Sequence, residues 1–526
     1  MGQQRHASPD LEEILTHAQA AQGADHYDDA ASFYAQATKI EPEVPELWAN
    51  RGLMEHFAGR SAEAVVSFKR ALALRPSLFT PILFTGMDYV ALNHPELALP
   101  YLKRALHLQP SNADVSVALG KAYAAMREPR QAASAFQDAA VLRPSDAEAW
   151  YGLGTSCLAV IDQDGGRLAE RHADSSWAKA LYADAMLVQE RKLEAVDAYK
   201  QAAASSSTIE REIFSTVLLQ MREASASQTP SAVPLASIDE LLAIVRPPSG
   251  SSAPICPAST QPAAASRDSS ALMLQTACSY LDKDMVRAAT VASNQLAINP
   301  DNPEALYWSV KANEKRAVDA LARYEQLAPQ SPATYDMVGD LYRRRLQPDS
   351  ALEQYSKALE IDPLDAPALM GSAASYLSIG NMEKTLTTAK AALVNAPKDA
   401  RLNLIAAEAL VNLHRYSDAR PYLDQCLASV KDREKDSTLT SLGPRAHALL
   451  GQVEAEGGNI PEAIAEMRLG LSSDQDGSLY FQLSRLYRRE GKLAEAQQAV
   501  DHAKTLNAQR RSRAAIALKS SAERSH

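Results

Sequence analysis

The sequence predicts an all-α protein, a solenoid of stacked helix-turn-helix repeats. Two observations carry this prediction. A set of small, large and proline residues recurs in steps of 34 along the 526-residue chain. The composition is 46% hydrophobic but only 6% aromatic, rich in Ala and Leu, and suits close-packed helices better than sheets.

The recurring set is clearest in "DLYRRRLQPDSALEQYSKALEIDP", Asp340 to Pro363, which holds Tyr342, Ala351, Tyr355, Ala358 and Pro363. Counterparts of Ala351 are Ala30, Ala64, Ala98 and Ala132. Around them stand Tyr34, Ala37 and Pro42, then Phe68, Ala71 and Pro76, then Leu102, Ala105 and Pro110, then Phe136, Ala139 and Pro144. Twelve residues upstream a second small residue recurs at Ala18, Gly52, Gly86, Gly120 and Gly339. Two further steps of 34 lead from Ala351 to Thr385 and Ala419.

This self-similarity resembles the tetratricopeptide repeat (TPR) family. The resemblance implies a right-handed α-solenoid whose units are each a helix A followed by an antiparallel helix B. Small residues let the two helices approach, and large ones fill the space beside them. Pro363 ends helix B because it lacks an N–H and restricts the residue before it. Helix starts are signalled at Ser145-Asp146-Ala147-Glu148 and Asp301-Asn302-Pro303-Glu304. One unit cannot bury its apolar face alone, so neighbours stack. Units are expected at about 11–44, 45–78, 79–112, 113–146, 176–209, 269–302, 332–365, 366–399, 400–430, 444–476 and 477–509.

Two stretches break the period. After Glu148-Ala149-Trp150 the next good unit centres on Ala195, and after Glu304-Ala305-Leu306 the next centres on Ala351. Both obey one offset of 156 residues, as do Tyr151 and Tyr307, Asp184 and Asp340, and Tyr199 and Tyr355. Each stretch is read as the same shortened unit of 29 residues, from a larger duplicated module or a shared local distortion.

The domain division that follows is an N-terminal array over 1–222, a Ser/Pro/Ala-rich linker or disordered loop over 223–268, a C-terminal array over 269–509 and a basic helical tail over 510–526. The linker cannot bury enough apolar surface to order itself. It is either a hinge between two arrays or a loop thrown out of one, with "SIDELLAIVR" as a short amphipathic helix inside it.

Motifs for chemistry are absent. "GLGTSC" at Gly152 to Cys157 follows no strand, so it makes no dinucleotide site. "DQDG" at Asp162 to Gly165 and at Asp474 to Gly477 lacks the further ligands of a calcium loop. Both copies are expected between helices, as turns. No HExxH, P-loop, GxSxG or kinase signature is present. The chain therefore reads as no enzyme, with no catalytic residue, no metal site and no cofactor.

The net charge of −10 argues against nucleic acid as a partner. No apolar run reaches the 18 or so residues of a membrane span, so no membrane insertion is expected. The N-terminus has no apolar signal region. A cytoplasmic location is expected, or export if the true start lies upstream. Cys157, Cys256, Cys278 and Cys426 show no zinc spacing. They read as isolated thiols, although a Cys256–Cys278 bridge across the linker is conceivable.

In TPR proteins helix A lines the concave surface, and ligands bind there as extended peptides or helices. That is what the resemblance implies for Asn50, Leu53, Phe57, Leu83, Phe84, Met87 and Val90, a mainly apolar strip. The carboxylate clamp of co-chaperone TPR proteins is not expected. Asn50 matches one clamp position, but Leu15, Gln19, Thr80 and Phe84 occupy the others. Further on, the same positions turn charged at Asp336, Asp340, Arg343, Arg344 and Glu408. Arg485, Arg488 and Arg489 form a candidate face for an acidic ligand. The expected function is a non-catalytic scaffold or adaptor for a protein or peptide partner. The alternatives are an exported protein assisting envelope assembly and a regulatory or specificity subunit of an enzyme on another chain.

Overall fold

In the computed structural model the recurring residues are packing devices. It describes residues 9–188, 191–207, most of 210–218, 241, 269–344, 347–432, 441–474 and 476–522. Ala351, Tyr355 and Ala358 are buried together. A Cβ on Gly339 would stand 2.6 Å from the Tyr355 ring, and one on Gly371, in the next unit, 2.2 Å from it. One aromatic thus fills the space left by two glycines in successive units. Phe136 does the same for Gly120 and Gly152, at 2.8 and 2.4 Å. Replacing Ala351 by Leu overpacks such a pair and is expected to cost about 1–3 kcal/mol. The readout is a lower urea midpoint with an unchanged slope.

Helices follow the repeat. The first four units are α1 (Pro9–Gly23) with α2 (Tyr27–Ile40), α3 (Pro45–Phe57) with α4 (Ser61–Leu74), α5 (Phe79–Ala91) with α6 (Pro95–Leu108), and α7 (Ala113–Ala125) with α8 (Pro129–Leu142). Then come α9 (Ala147–Arg171), α10 (Ser176–Val188) and α11 (Lys192–Ser205). After the linker stand α12 (Ser269–Leu281), α13 (Met285–Ile298) and α14 (Pro303–Leu327). The last group opens with α15 (Pro332–Arg344), α16 (Pro348–Ile361), α17 (Ala366–Ser378) and α18 (Met382–Asn395). It continues with α19 (Ala400–Asn412), α20 (Tyr416–Lys431), α21 (Gly443–Glu456) and α22 (Ile460–Gly470). It ends with α23 (Ser478–Arg489) and α24 (Leu493–Ala522). No strand occurs among the described residues. Within each unit of the chain, helix B packs on the next helix A, as α2 does on α3 and α16 on α17, and helices A touch along α3, α5, α7 and α9 and along α15, α17, α19 and α21.

The two period breaks are not shortened helix pairs. Each is one continuous 25-residue helix, α9 and α14. Their first residues, Ala147 and Pro303, and their last, Arg171 and Leu327, keep the 156-residue offset. The two run antiparallel against each other. Tyr151 meets Tyr324 with ring centroids 5.0 Å apart. A Cβ on Gly154 would lie 2.4 Å from Leu321, and one on Gly165 3.7 Å from Val310. Beyond that, Arg171 pairs with Asp301 at 2.9 Å. The expected starts are real caps: Asp146 accepts from Glu148 N at 3.0 Å, and Asn302 from Ala305 N at 3.0 Å.

The first "DQDG" is therefore corrected from a turn to the interior of α9. Asp164 there is buried, paired with Arg130 and accepting from Ser309 Oγ at 2.6 Å. These partners, and the close contact that Gly165 permits, keep the helix going where isolated Asp and Gly would stop it. The second copy is a turn. Asp474 accepts from Gly477 N at 2.8 Å and Tyr480 N at 2.9 Å.

The chain divides into two compact units, Met1–Leu327 and Ala328–His526. The division by composition placed 269–327 in the C-terminal array. Helices α12, α13 and α14 instead belong to the N-terminal unit, because α14 packs along α9 and α13 along α14. Phe214, Val217, Leu218 and Leu241 share one core with Trp177, Tyr307 and Trp308. The rest of the expected linker, 223–268, lies outside the described residues. Helix α24 runs on into the expected tail to Ala522. Cys157 and Cys426 are buried free thiols. Cys278 departs from the expectation of isolated thiols, being disulfide-bonded.

Candidate functional site

The strip expected on helix A begins at α3 and α5. Asn50 and Leu53 are half-buried. Phe57 is 50% exposed and meets Tyr27 at 5.3 Å and Phe84 at 6.1 Å between ring centroids. Phe84 is half-buried, edge-on to His56 at 4.8 Å and tilted against Phe68 at 6.1 Å. Leu83 is different. It is 5% exposed and belongs to the core with Ile82 and Leu102, so it offers no surface to a ligand. Helix A of this unit is apolar on two faces, and one of them is the core.

Met87 and Val90 line a cavity of about 490 Å³ that runs along α3, α5, α7 and the start of α9. Its floor adds Val117 and Ala118, and its wall His56. Its rim carries charges that are already paired. Lys121 stands 2.5 Å from Glu148, and Arg143 lies 2.8 Å from Asp114 and 3.4 Å from Asp146. Bonds to Asp114, then to Asp146, hold Arg143 above the usual arginine value. Asn112 positions the α7 end of the rim by accepting from Asp114 N at 3.0 Å.

His56 was not among the residues singled out from the sequence. Its Nδ1 lies 2.8 Å from an oxygen of Asp88, which is fully buried. The other Asp88 oxygen has no partner. A lone His and a lone Asp 32 residues apart give no local signal; only the stacking of α3 on α5 joins them.

The charged positions of the C-terminal unit are dispersed. Asp340 accepts from Tyr355 Oη at 2.7 Å and pairs with Arg343 at 3.1 Å. The Arg344 side chain lies outside the described residues. Glu408 is paired with Arg445. Arg485, Arg488 and Arg489 are exposed on α23, the latter two in its last turn. None of the three forms an ion pair within the described residues.

Among the described residues there is no group of three or more His, Cys, Asp or Glu that could hold a metal ion. The free thiols are inert in character. Burial raises Cys157, and burial followed by Asp399 pushes Cys426 up to about 11, far from a reactive thiolate. No described helix is long and apolar enough to cross a membrane.

Family models described as tetratricopeptide repeats match residues 15–78, 89–157, 337–400, 406–479 and 477–510. Among curated proteins, Protein NPGR2 of Arabidopsis thaliana is 36% identical over 87 residues. That match spans 16% of this chain and only 12% of the length of that relative. Similar solved structures include MamA, residues 41 to the end, from Desulfovibrio magneticus RS-1, at 22% identity and a TM-score of 0.28. It covers 29% of this chain and 86% of that one. TTC0263, a TPR protein of Thermus thermophilus, is 25% identical with a TM-score of 0.26, over 36% and 98% of the two chains. YrrB, a TPR protein with an unusual peptide-binding site, is 20% identical with a TM-score of 0.29, over 36% and 92%.

Proposed function

The chain belongs to the tetratricopeptide repeat family, and from this premise we propose that it is a non-catalytic protein-interaction scaffold receiving a peptide or helix along α3, α5 and α7. One observation carries the reading. The exposed ring of Phe57 continues through Phe84 to Met87 and Val90 and into the cavity. The rim cations Lys121 and Arg143 are already held by the rim carboxylates, so the surface left for a ligand is mainly apolar. An amphipathic partner helix would lay its apolar face there. The rim pairs, being exposed, would contribute about 0–1 kcal/mol each. They would set orientation more than affinity.

The test is a cross-linked pull-down from the source cell with wild type and with Phe57→Asp plus Met87→Asp. Circular dichroism must first show both equally helical. A partner captured by wild type should bind the variant on the order of tenfold or more weakly. Equal capture would remove the strip from the binding surface.

A second reading concerns α23. Three exposed arginines that form no ion pair among the described residues suit an acidic segment of a partner. Arg485→Glu with Arg488→Glu should then abolish binding of an acidic peptide, and high salt should weaken it in the wild type.

A further inference from the structure

The first two repeats of the C-terminal unit hold a pair of carboxyl groups with no donor between them. Asp336, in α15, is 5% exposed, and both of its side-chain oxygens are sealed from solvent without a hydrogen-bond partner. Asp365, in the turn before α17, lies within hydrogen-bonding reach of it. Asp365 also caps α17 by accepting from Ala368 N at 2.8 Å.

The surrounding charges offer no relief. On the same helix Asp340 is a third acid, and Arg343 is committed to it at 3.1 Å. From α16, the Tyr355 hydroxyl is likewise committed to Asp340. Asp365 is the charged group that α17 brings. Among the described residues no cation pairs with Asp336. Ionised carboxylates are acceptors only, so a bond between two of them requires a proton. Because both Asp336 oxygens are sealed, a cationic ligand could not reach them without the same opening that would break the contact.

We propose that Asp336 keeps its proton in the folded protein and donates it to Asp365, so that one proton latches α15 to the cap of α17 and alkaline conditions release the latch. Burial, then Asp365 and Asp340, push the Asp336 carboxyl up from 3.8 to about 8. The sign follows from linkage. Between these values the folded chain holds a proton that the unfolded chain has released. Stability from this group is therefore complete at acid pH, falls as pH rises through that window, and is lost above about 8. A carboxylate held by a cation behaves in the opposite way.

Hydrogen exchange of the full chain, followed by mass spectrometry from pH 5 to 9 and corrected for intrinsic rates, tests this. In the wild type, protection over residues 332–378 should fall by up to about tenfold per pH unit until pH 8. Asp336→Asn keeps the shape, and its amide donates to Asp365 at every pH, so its protection should stay flat. If that variant fails to fold, Asp365→Asn serves instead. Asn also caps helices; it removes the Asp365 charge and offers Asp336 an amide donor, leaving burial and Asp340 to hold the proton, so the fall in protection should end at a lower pH than in the wild type. A flat wild-type profile overturns the proposal, and so does the unchanged wild-type profile in whichever variant folds.

Discussion

Asp184→Ala is expected to destabilise the N-terminal unit by about 3–5 kcal/mol, the cost of breaking a buried ion pair from one side. Lys311 in α14 is only 7% exposed at its side chain, and its Nζ stands 3.1 Å from Asp184 and 3.2 Å from Glu314. Asp184 also accepts from the hydroxyls of Tyr199 and Tyr307, both fully buried. Burial opposes the Lys311 charge, but Asp184 and then Glu314 outweigh it and hold the amine well above its ordinary value. Removing Asp184 leaves that charge with Glu314 alone and two buried hydroxyls without their acceptor. A denaturation curve followed by tryptophan fluorescence reads the loss, since Trp177 and Trp308 pack in the same core. Asp184→Leu combined with Lys311→Met should recover much of it, because well-packed apolar groups replace such pairs at little cost. A loss below about 1 kcal/mol would resemble a surface pair and would mean that water reaches the network. The raised value of Lys311 keeps its contribution constant below about pH 10 and removes it only in strong alkali.

Gly477→Ala should cost on the order of 3 kcal/mol, combining left-handed backbone strain with overpacking. Gly477 has φ +85°, and a Cβ there would stand 2.4 Å from the Ala503 carbonyl oxygen and 2.8 Å from its Cα. Neither atom can swing aside, since Ala503 is buried in α24. Gly491 supplies the control. Its φ is +76°, yet a Cβ there would meet nothing within 4 Å. Gly491→Ala should therefore show only the left-handed backbone cost of about 1–2 kcal/mol. Exchange protection of α23 and α24 separates the two effects. Equal losses in both variants would show that the α24 backbone yields.

The 34-residue steps were legible because each repeated residue answers a local demand. Ala351, Gly339 and Tyr355 report a close helix pair wherever they recur, and the helices begin and end where those residues and the prolines set them. Part of the candidate site was legible for the same reason. Phe57, Met87 and Val90 follow from the face of helix A that the packing residues leave over. Leu83 did not follow, because an apolar residue beside that face reads the same whether it meets solvent or core. The His56–Asp88 and Lys121–Glu148 pairs also stayed hidden, since each joins residues from successive repeats.

By itself the sequence determined the all-α class, the unit length and the helix pairs, because these depend on contacts within one repeat or between adjacent ones. The tertiary structure alone decided what becomes of the two period breaks. An offset of 156 residues does not say that both segments form unbroken helices, nor that they pair antiparallel. That outcome rests on contacts across the linker. Val310 closes over Gly165, Ser309 satisfies the buried Asp164, and Lys311 finds Asp184. Such partners lie more than 120 residues apart in the chain. No local pattern records them; they exist only once folding has brought α14 back against α9.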